Sequence, residues 1–159
     1  MTQISYREVG IDGLDLIQEL WKLLRLHVKS STTDFKDQVD QLTFPERKEF
    51  LLKKSKGGSI RVDLAEDPDE VVIAYCVSTL TPEKVGEVDS IYVKEEYRSL
   101  GIGKQLMKRS LKWMDEKGAE SKKILVTVGN QDVVSFYRLY GFLPRSVVLE
   151  QLTEHMDRG

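Results

Sequence analysis

Hydrophobic positions in the centre of the chain recur as short strand-like runs. Residues 60–66 (IRVDLAE) and 71–80 (VVIAYCVSTL) are rich in β-branched and aliphatic side chains and read as two strands. Asp67-Pro68-Asp69-Glu70 between them is turn chemistry, so the two form an antiparallel hairpin. Thr81-Pro82-Glu83-Lys84 is a second turn and leads into a third strand, residues 85–93, completing a meander. Upstream, residues 4–9 read as a short strand with Ile4, Tyr6 and Val9 inward, punctuated by Gly10 and Gly13. Residues 14–29 follow a helical period, with Leu16, Leu20, Leu23, Leu24 and Val28 on the stripe, Trp21 a core residue and His27 at the surface. Residues 30–40 are polar and form either a loop or a poor helix. Their aspartates, Asp34, Asp37 and Asp40, read as a solvated connection or as an acidic wall that attracts a cationic amine. Pro45 suits the first turn of a second helix that runs to Lys54 and ends at Gly57-Gly58, with Phe50, Leu51 and Leu52 on its apolar side.

Beyond the meander, Ile102, Leu106, Met107, Leu111 and Met114 trace one face of a helix closed by Gly118. Residues 122–128 read as a strand centred on Ile124, Leu125 and Val126, so residues 85–128 make a strand–helix–strand crossover with parallel strands. Residues 131–140 read as a short helix stopped by Gly141, residues 142–152 as a last strand with a turn at Pro144, and residues 153–159 as a loose tail. No repeat, low-complexity tract or linker interrupts the pattern, and residues 1–159 read as a single domain.

Composition narrows the function classes. The chain has 159 residues, 40% hydrophobic and 31% charged, which is enough for a real core and ordinary for a soluble globular protein. A formal net charge of −2 argues against nucleic-acid binding by overall basic charge. Cys76 is the only cysteine and lies in an apolar run, so no intrachain disulfide forms and a buried inert thiol is expected. Two histidines and one cysteine do not make a zinc site, and no metal is expected. There is no membrane-length apolar run and no signal-peptide pattern at the N-terminus, so the expected location is the cytoplasm.

The chemistry centres on residues 86–103, GEVDSIYVKEEYRSLGIG. A strand runs into the glycine-punctuated turn Arg98-Ser99-Leu100-Gly101-Ile102-Gly103, and a helix follows. That order makes an anion site: the helix start offers unpaired N–H groups and a positive dipole end. Glycines let a phosphate approach the backbone, and Arg98 adds a bidentate cation. GxxxxGK[ST] is absent, and Leu106 stands where the dinucleotide fingerprint needs its third glycine. The remaining pattern, R-x-x-G-x-G after a strand, resembles the pyrophosphate loop of the GNAT superfamily of N-acetyltransferases, Q/R-x-x-G-x-G/A. Downstream, the segment from Asn130 through Tyr137 and Tyr140 to Gly141-Phe142 resembles the same superfamily's N-x-x-A-x-x-[LF]-Y-x-x-x-G-F, with Val133 in place of the small residue.

The resemblance implies a GNAT fold of the α/β (α+β) class: a mixed, mostly antiparallel central sheet of six to seven strands flanked by about four helices. It implies acetyl-CoA as cosubstrate. The backbone of Ile91, Tyr92 and Val93 would pair with the pantetheine amides in a sheet splayed open beside that strand. Arg98 and the N–H groups of Ser99, Leu100, Gly101, Ile102, Gly103 and Lys104 would hold the pyrophosphate. Asn130 would contact the pantetheine arm, and Tyr137 would stand near the sulfur. The family is often dimeric, which keeps a homodimer open. The acceptor would be an amine, on a small molecule or a protein, with determinants in residues 26–52 and 146–152, where the family varies most.

Acyl transfer to an amine needs a proton acceptor, because an amine of pKa near 10 is protonated at neutral pH. It also gains from a proton donor to the leaving thiolate, and an oriented tyrosine serves, here Tyr137. Glu87 and Asp89 point to the same face of one strand, with Cα atoms about 6.6 to 6.8 Å apart. Some members of the family carry a base glutamate eleven residues before the Q/R of the loop, and Glu87 stands eleven residues before Arg98. Glu87 is therefore the expected base, directly or through one water, with its pKa raised by the apolar sheet, and Asp89 a helper or charge partner of the acceptor. The alternative function is a GNAT-fold module that binds CoA as a sensor or partner domain without turnover. No G-x-S-x-G or recognisable triad points to a serine nucleophile.

Overall fold

The computed structural model describes residues 3–32, 34–127, 129 and 132–152. Its internal contacts group into two compact units, Met1–Leu24 with Thr43–Leu125, and Arg25–Leu42 with Val126–Gly159. Each is described by itself.

The first unit is built on a five-stranded sheet in sequence order, β1 (Ser5–Val9), β2 (Ser59–Glu66), β3 (Val72–Leu80), β4 (Val85–Val93) and β5 (Ser121–Lys123). The first three pairings are antiparallel, and β4 pairs with β5 in parallel. Side chains template both turns of the meander. Asp67 Oδ1 accepts the N–H groups of Asp69 and Val71 at 2.9 and 3.0 Å, and Thr81 Oγ1 accepts that of Val85 at 3.1 Å.

Helix α1 (Gln18–Ser31) is preceded by a 3-10 segment, Ile11–Ile17, and followed by α2 (Lys36–Gln41), α3 (Phe44–Lys54), α4 (Ile102–Glu116) and α5 (Asp132–Arg138). Crossover helix α4 covers one face of the sheet with Ile102, Leu106, Met107, Trp113 and Met114, all buried. Two polar contacts fix its seat: Ser110 Oγ lies 2.5 Å from Ser78 Oγ, and Arg109 Nε donates to Asp63 at 2.9 Å. Asp63 is fully buried and also accepts from Arg61 at 2.8 and 3.0 Å, so its charge is paired rather than stranded. At the far end of α4 the N–H of Ala119 reaches back to the Met114 carbonyl at 2.9 Å and that of Gly118 to Asp115 at 3.0 Å, a Schellman closure. Alternation turns Val62, Leu64, Val77 and Thr79 to the opposite face, where the 3-10 segment packs on β2 and β3 with Leu14 and Ile17 buried.

Helix α3 begins with a capping box. Thr43 Oγ1 accepts the Glu46 N–H at 3.4 Å, and Glu46 Oε2 accepts the Thr43 N–H at 3.0 Å, with Pro45 in the first turn. Thr43→Ala is expected to cost about 1 kcal/mol of unfolding free energy, read from urea denaturation at unchanged m-value.

The second unit holds the end of α1, α2 and α5. The hydroxyls of Ser30 and Ser31 both donate to the His27 carbonyl, at 2.7 and 3.0 Å. Gly129 has φ +102, and a Cβ there would lie 2.0 Å from the Ser31 carbonyl oxygen, so only glycine fits. On α5 the Phe136 ring lies 5.4 Å from both Tyr137 and Tyr140. The Phe142 N–H donates to the Tyr137 carbonyl at 3.2 Å, ending the helix at Gly141.

The meander, the crossover and the second helix stand as the hydrophobic pattern places them, but four details differ. The described residues contain five strands rather than six to seven, beside five α-helices where about four are expected. The strand expected at 122–128 is only Ser121–Lys123, because it pairs with β4 just at Val85, Gly86 and Glu87. Residues 142–152 form no strand; Val147, Val148 and Leu149 are exposed, and β-propensity without a partner edge makes no strand. Along the 3-10 segment and α1 the buried apolar residues are Leu14, Ile17, Leu20, Trp21 and Val28, so Leu20 and Val28 of the expected stripe are inside, whereas Leu16 and Leu23 are 48% and 39% exposed. The 3-10 start has three residues per turn and shifts the phase of the buried face. The tail at 153–159 lies outside the described residues.

Candidate active site

β4 carries a bulge. Val77 of β3 faces Ser90, while its neighbour Ser78 faces Val88, leaving Asp89 as the extra residue. Thr79, on the face away from α4, donates its hydroxyl to Asp89 Oδ2 at 2.5 Å. From α3, Lys54 Nζ bonds Asp89 Oδ1 and also lies 2.9 Å from Glu87 Oε1. Arg47, on the same helix, donates Nη2 to the Asp89 carbonyl at 2.8 Å. Lys123 of β5 approaches Glu87 at 3.6 Å. Glu87 and Asp89 therefore meet at one ammonium, as their alternation on the strand requires. The Asp89 side chain is 1% exposed. Burial raises its pKa; hydrogen bonds from Lys54 and Thr79 act in the opposite direction, and the charge of Glu87 adds to the rise.

Past Glu87 the two flanks of β4 diverge. On one side it stays paired with β3 through Val93, with Ile91 opposite Cys76 and Tyr92 opposite Tyr75. On the other, the ladder with β5 stops at Glu87, and among the described residues 88–93 have no strand partner there. An edge without a strand partner results, bordered at its start by the carboxylates, with the Asp89 and Val93 carbonyls held by the side chains of Arg47 and Arg98.

The strand then runs through a 3-10 turn, Glu95–Tyr97, into the glycine loop. Arg98 folds back along β4: Nε donates to the Val93 carbonyl at 3.0 Å, and its guanidinium lies 5.4 Å from the Tyr92 ring centre. Ser99 has φ 68, and Gly101, the N-cap of α4, has φ 79 and ψ 11, a conformation that costs glycine nothing. Leu100 is 60% exposed. The Gln105 N–H bonds to the Gly101 carbonyl at 3.1 Å, so the N–H groups of Ile102, Gly103 and Lys104 precede the helical ladder and belong to its positive end.

Of the other residues singled out in the sequence, Tyr137 is half-buried on α5 in the second unit, and Asn130 lies outside the described residues. Cys76 is fully buried, and burial pushes its thiol up to about 12, which removes it as a nucleophile. The pattern of apolar residues did not single out Arg47 or Lys54. Their signal is the spacing 47, 50, 54, which places two cations and Phe50 on one side of α3. Both cations lie near the Phe50 ring, at 5.4 and 6.0 Å from its centre. Phe50 itself is half exposed, not part of the core.

Residues 20–142 match the family model for the acetyltransferase (GNAT) family. The chain belongs to the GNAT acetyltransferase family. An N-alpha-acetyltransferase of Sulfurisphaera tokodaii is 43% identical over 118 residues, 66% of this chain and 71% of that protein. An uncharacterized N-acetyltransferase of Methanocaldococcus jannaschii is 26% identical over 101 residues, and this chain spans 45% of its length. Among solved structures, a GCN5-related N-acetyltransferase from Ralstonia eutropha superposes with a TM-score of 0.72 at 18% identity, covering 94% of this chain and 99% of that one. PaiA N-acetyltransferase from Thermoplasma acidophilum, in complex with coenzyme A, gives 0.69 at 22% identity over 92% and 93%. These two likenesses establish the GNAT fold.

Proposed function

We propose that this protein is a single-domain, acetyl-CoA-dependent N-acetyltransferase that passes the acetyl group directly to a primary amine. The observation that carries the reading is the β4 edge, open beyond Glu87 and continuous with a glycine loop at the start of α4. The donor set fits the cosubstrate. Backbone groups of Ile91, Tyr92 and Val93 suit the amides of a pantetheine arm, and Arg98 with the N–H groups from Ser99 to Lys104 suits a pyrophosphate. Bound acetyl-CoA supplies a thioester carbonyl to the acceptor amine. Glu87 takes the amine's proton, directly or through one water, and Tyr137 gives a proton to the departing sulfur.

Saturation with CoA is expected to raise the melting temperature; at about a hundred times its dissociation constant the gain is about 2.7 kcal/mol. Gly103→Val should weaken CoA by more than roughly tenfold, because its branched side chain blocks the backbone approach, and more than Arg98→Ala, which removes one charge contact. A folded Gly103→Val protein with normal CoA affinity would place the cosubstrate elsewhere.

The pairing of both carboxylates with Lys54 also suits a second reading, a CoA-binding module without turnover. Thiol release from acetyl-CoA with a panel of amines separates the two. The panel begins with α-amines, the class in the name of the Sulfurisphaera relative, and continues through lysine side chains and small polyamines.

A further inference from the structure

Two carboxylates on one half-buried strand repel when both are ionised, and β4 itself offers nothing to offset this. The compensation comes from α3. Lys54, its side chain 15% exposed, bonds both Glu87 and Asp89. Two turns earlier on α3, Arg47 bonds the carbonyl of Asp89, the residue that the bulge removes from the β3 ladder. Arg47 thereby gives the carbonyl of this bulge residue a side-chain donor. Thr79 of β3 takes the remaining oxygen of the Asp89 carboxylate. The helix thus grips the same residue by side chain and by backbone, at the point where the β4–β5 ladder stops.

We propose that Lys54 is a positioning residue of the acetyl-transfer site, with Arg47 as its companion, holding the Glu87 side chain aimed beside the open edge of β4. This rests on Glu87 being the base. Among the described residues, the charged and polar groups facing Glu87 are Lys54 from α3, Lys123 from β5, Thr79 from β3 and Asp89 from its own strand; those facing Asp89 are Lys54 and Arg47 from α3 and Thr79 from β3. Of these, only Lys54 touches both carboxylates.

Removing the ammonium leaves the pair to share a proton. In Lys54→Gln the acid limb of the kcat profile is expected to move up by about one pH unit or more. At pH values below that limb turnover should fall about tenfold, with CoA affinity unchanged. Lys54→Arg should return the limb toward its original position, because it restores the charge. Carboxyl titration of Glu87 and Asp89 by 13C NMR reads the same shift without turnover. Wild-type protein that transfers nothing therefore overturns the proposed reaction, while the titration decides the clamp separately. A merely structural lysine would lower the melting temperature and leave the limb and the titration where they were; that result overturns the proposal. If Lys54→Gln does not fold, ammonium proton exchange in the wild-type protein decides. Lys54 should exchange far more slowly than Lys53, whose side chain is 76% exposed, and equal rates overturn the clamp.

Discussion

Tyr137→Phe is expected to lower kcat by about a hundredfold while leaving CoA affinity almost intact. The size follows from general acid–base catalysis, where loss of a positioned proton donor costs at least about a hundredfold. The substitution removes one oxygen and leaves the ring, so the 5.4 Å contact with Phe136 survives and α5 keeps its packing. A phenol of pKa near 10 is a poor acid in bulk water, but an alkyl thiolate is comparably basic and needs only a short, oriented transfer. Single-turnover kinetics with a saturating acceptor is the measurement, since slow product release would mask a change in the chemical step. Unchanged single-turnover rates would leave Tyr137 a packing residue, and the departing thiolate would then take its proton from water.

The sequence made the meander readable because each element carries its own local signal. Asp67 and Thr81 bond the backbone of their turns, and Thr43, Pro45 and Glu46 mark a helix start that needs no tertiary information. Glu87 and Asp89 were readable for a similar reason: the two-residue period of a strand puts them on one face. What stayed hidden depends on contacts between distant segments. Lys54 looks like one more charge on the polar side of an amphipathic helix until α3 docks, because its partner Asp89 is 35 residues away. The bulge at Asp89 has no glycine to announce it and arises from how β4 sits on β3. The run 142–152 is rich in strand formers, yet a strand exists only where an edge accepts it. The stripe on α1 holds at Leu20 and Val28 and slips at its start, where a 3-10 turn moves the inward face from Leu16 to Leu14 and Ile17.

Glu87→Gln is expected to lower turnover by about a hundredfold near neutral pH and to recover partly at alkaline pH. The amide keeps the volume of the side chain, whose exposure is only 7%, so packing around the end of β5 changes little. It cannot accept the acceptor's proton. Below the amine pKa near 10 nearly every acceptor is protonated, and the wild-type advantage is greatest there. As pH rises the free amine becomes available without help, and the two proteins converge. The same substitution removes one carboxylate from Lys54 and leaves Asp89 as its anionic partner. Loss of the base thus differs from loss of the clamp. Glu87→Gln should flatten the neutral limb of the profile and leave turnover climbing toward alkaline pH, whereas Lys54→Gln should move the limb and keep its shape. The assay is kcat against pH with a saturating amine, for both variants and the wild type. A Glu87→Gln enzyme with the wild-type rate and profile would pass the role of base to solvent or to Asp89, whose carboxylate is bonded by Lys54 and Thr79.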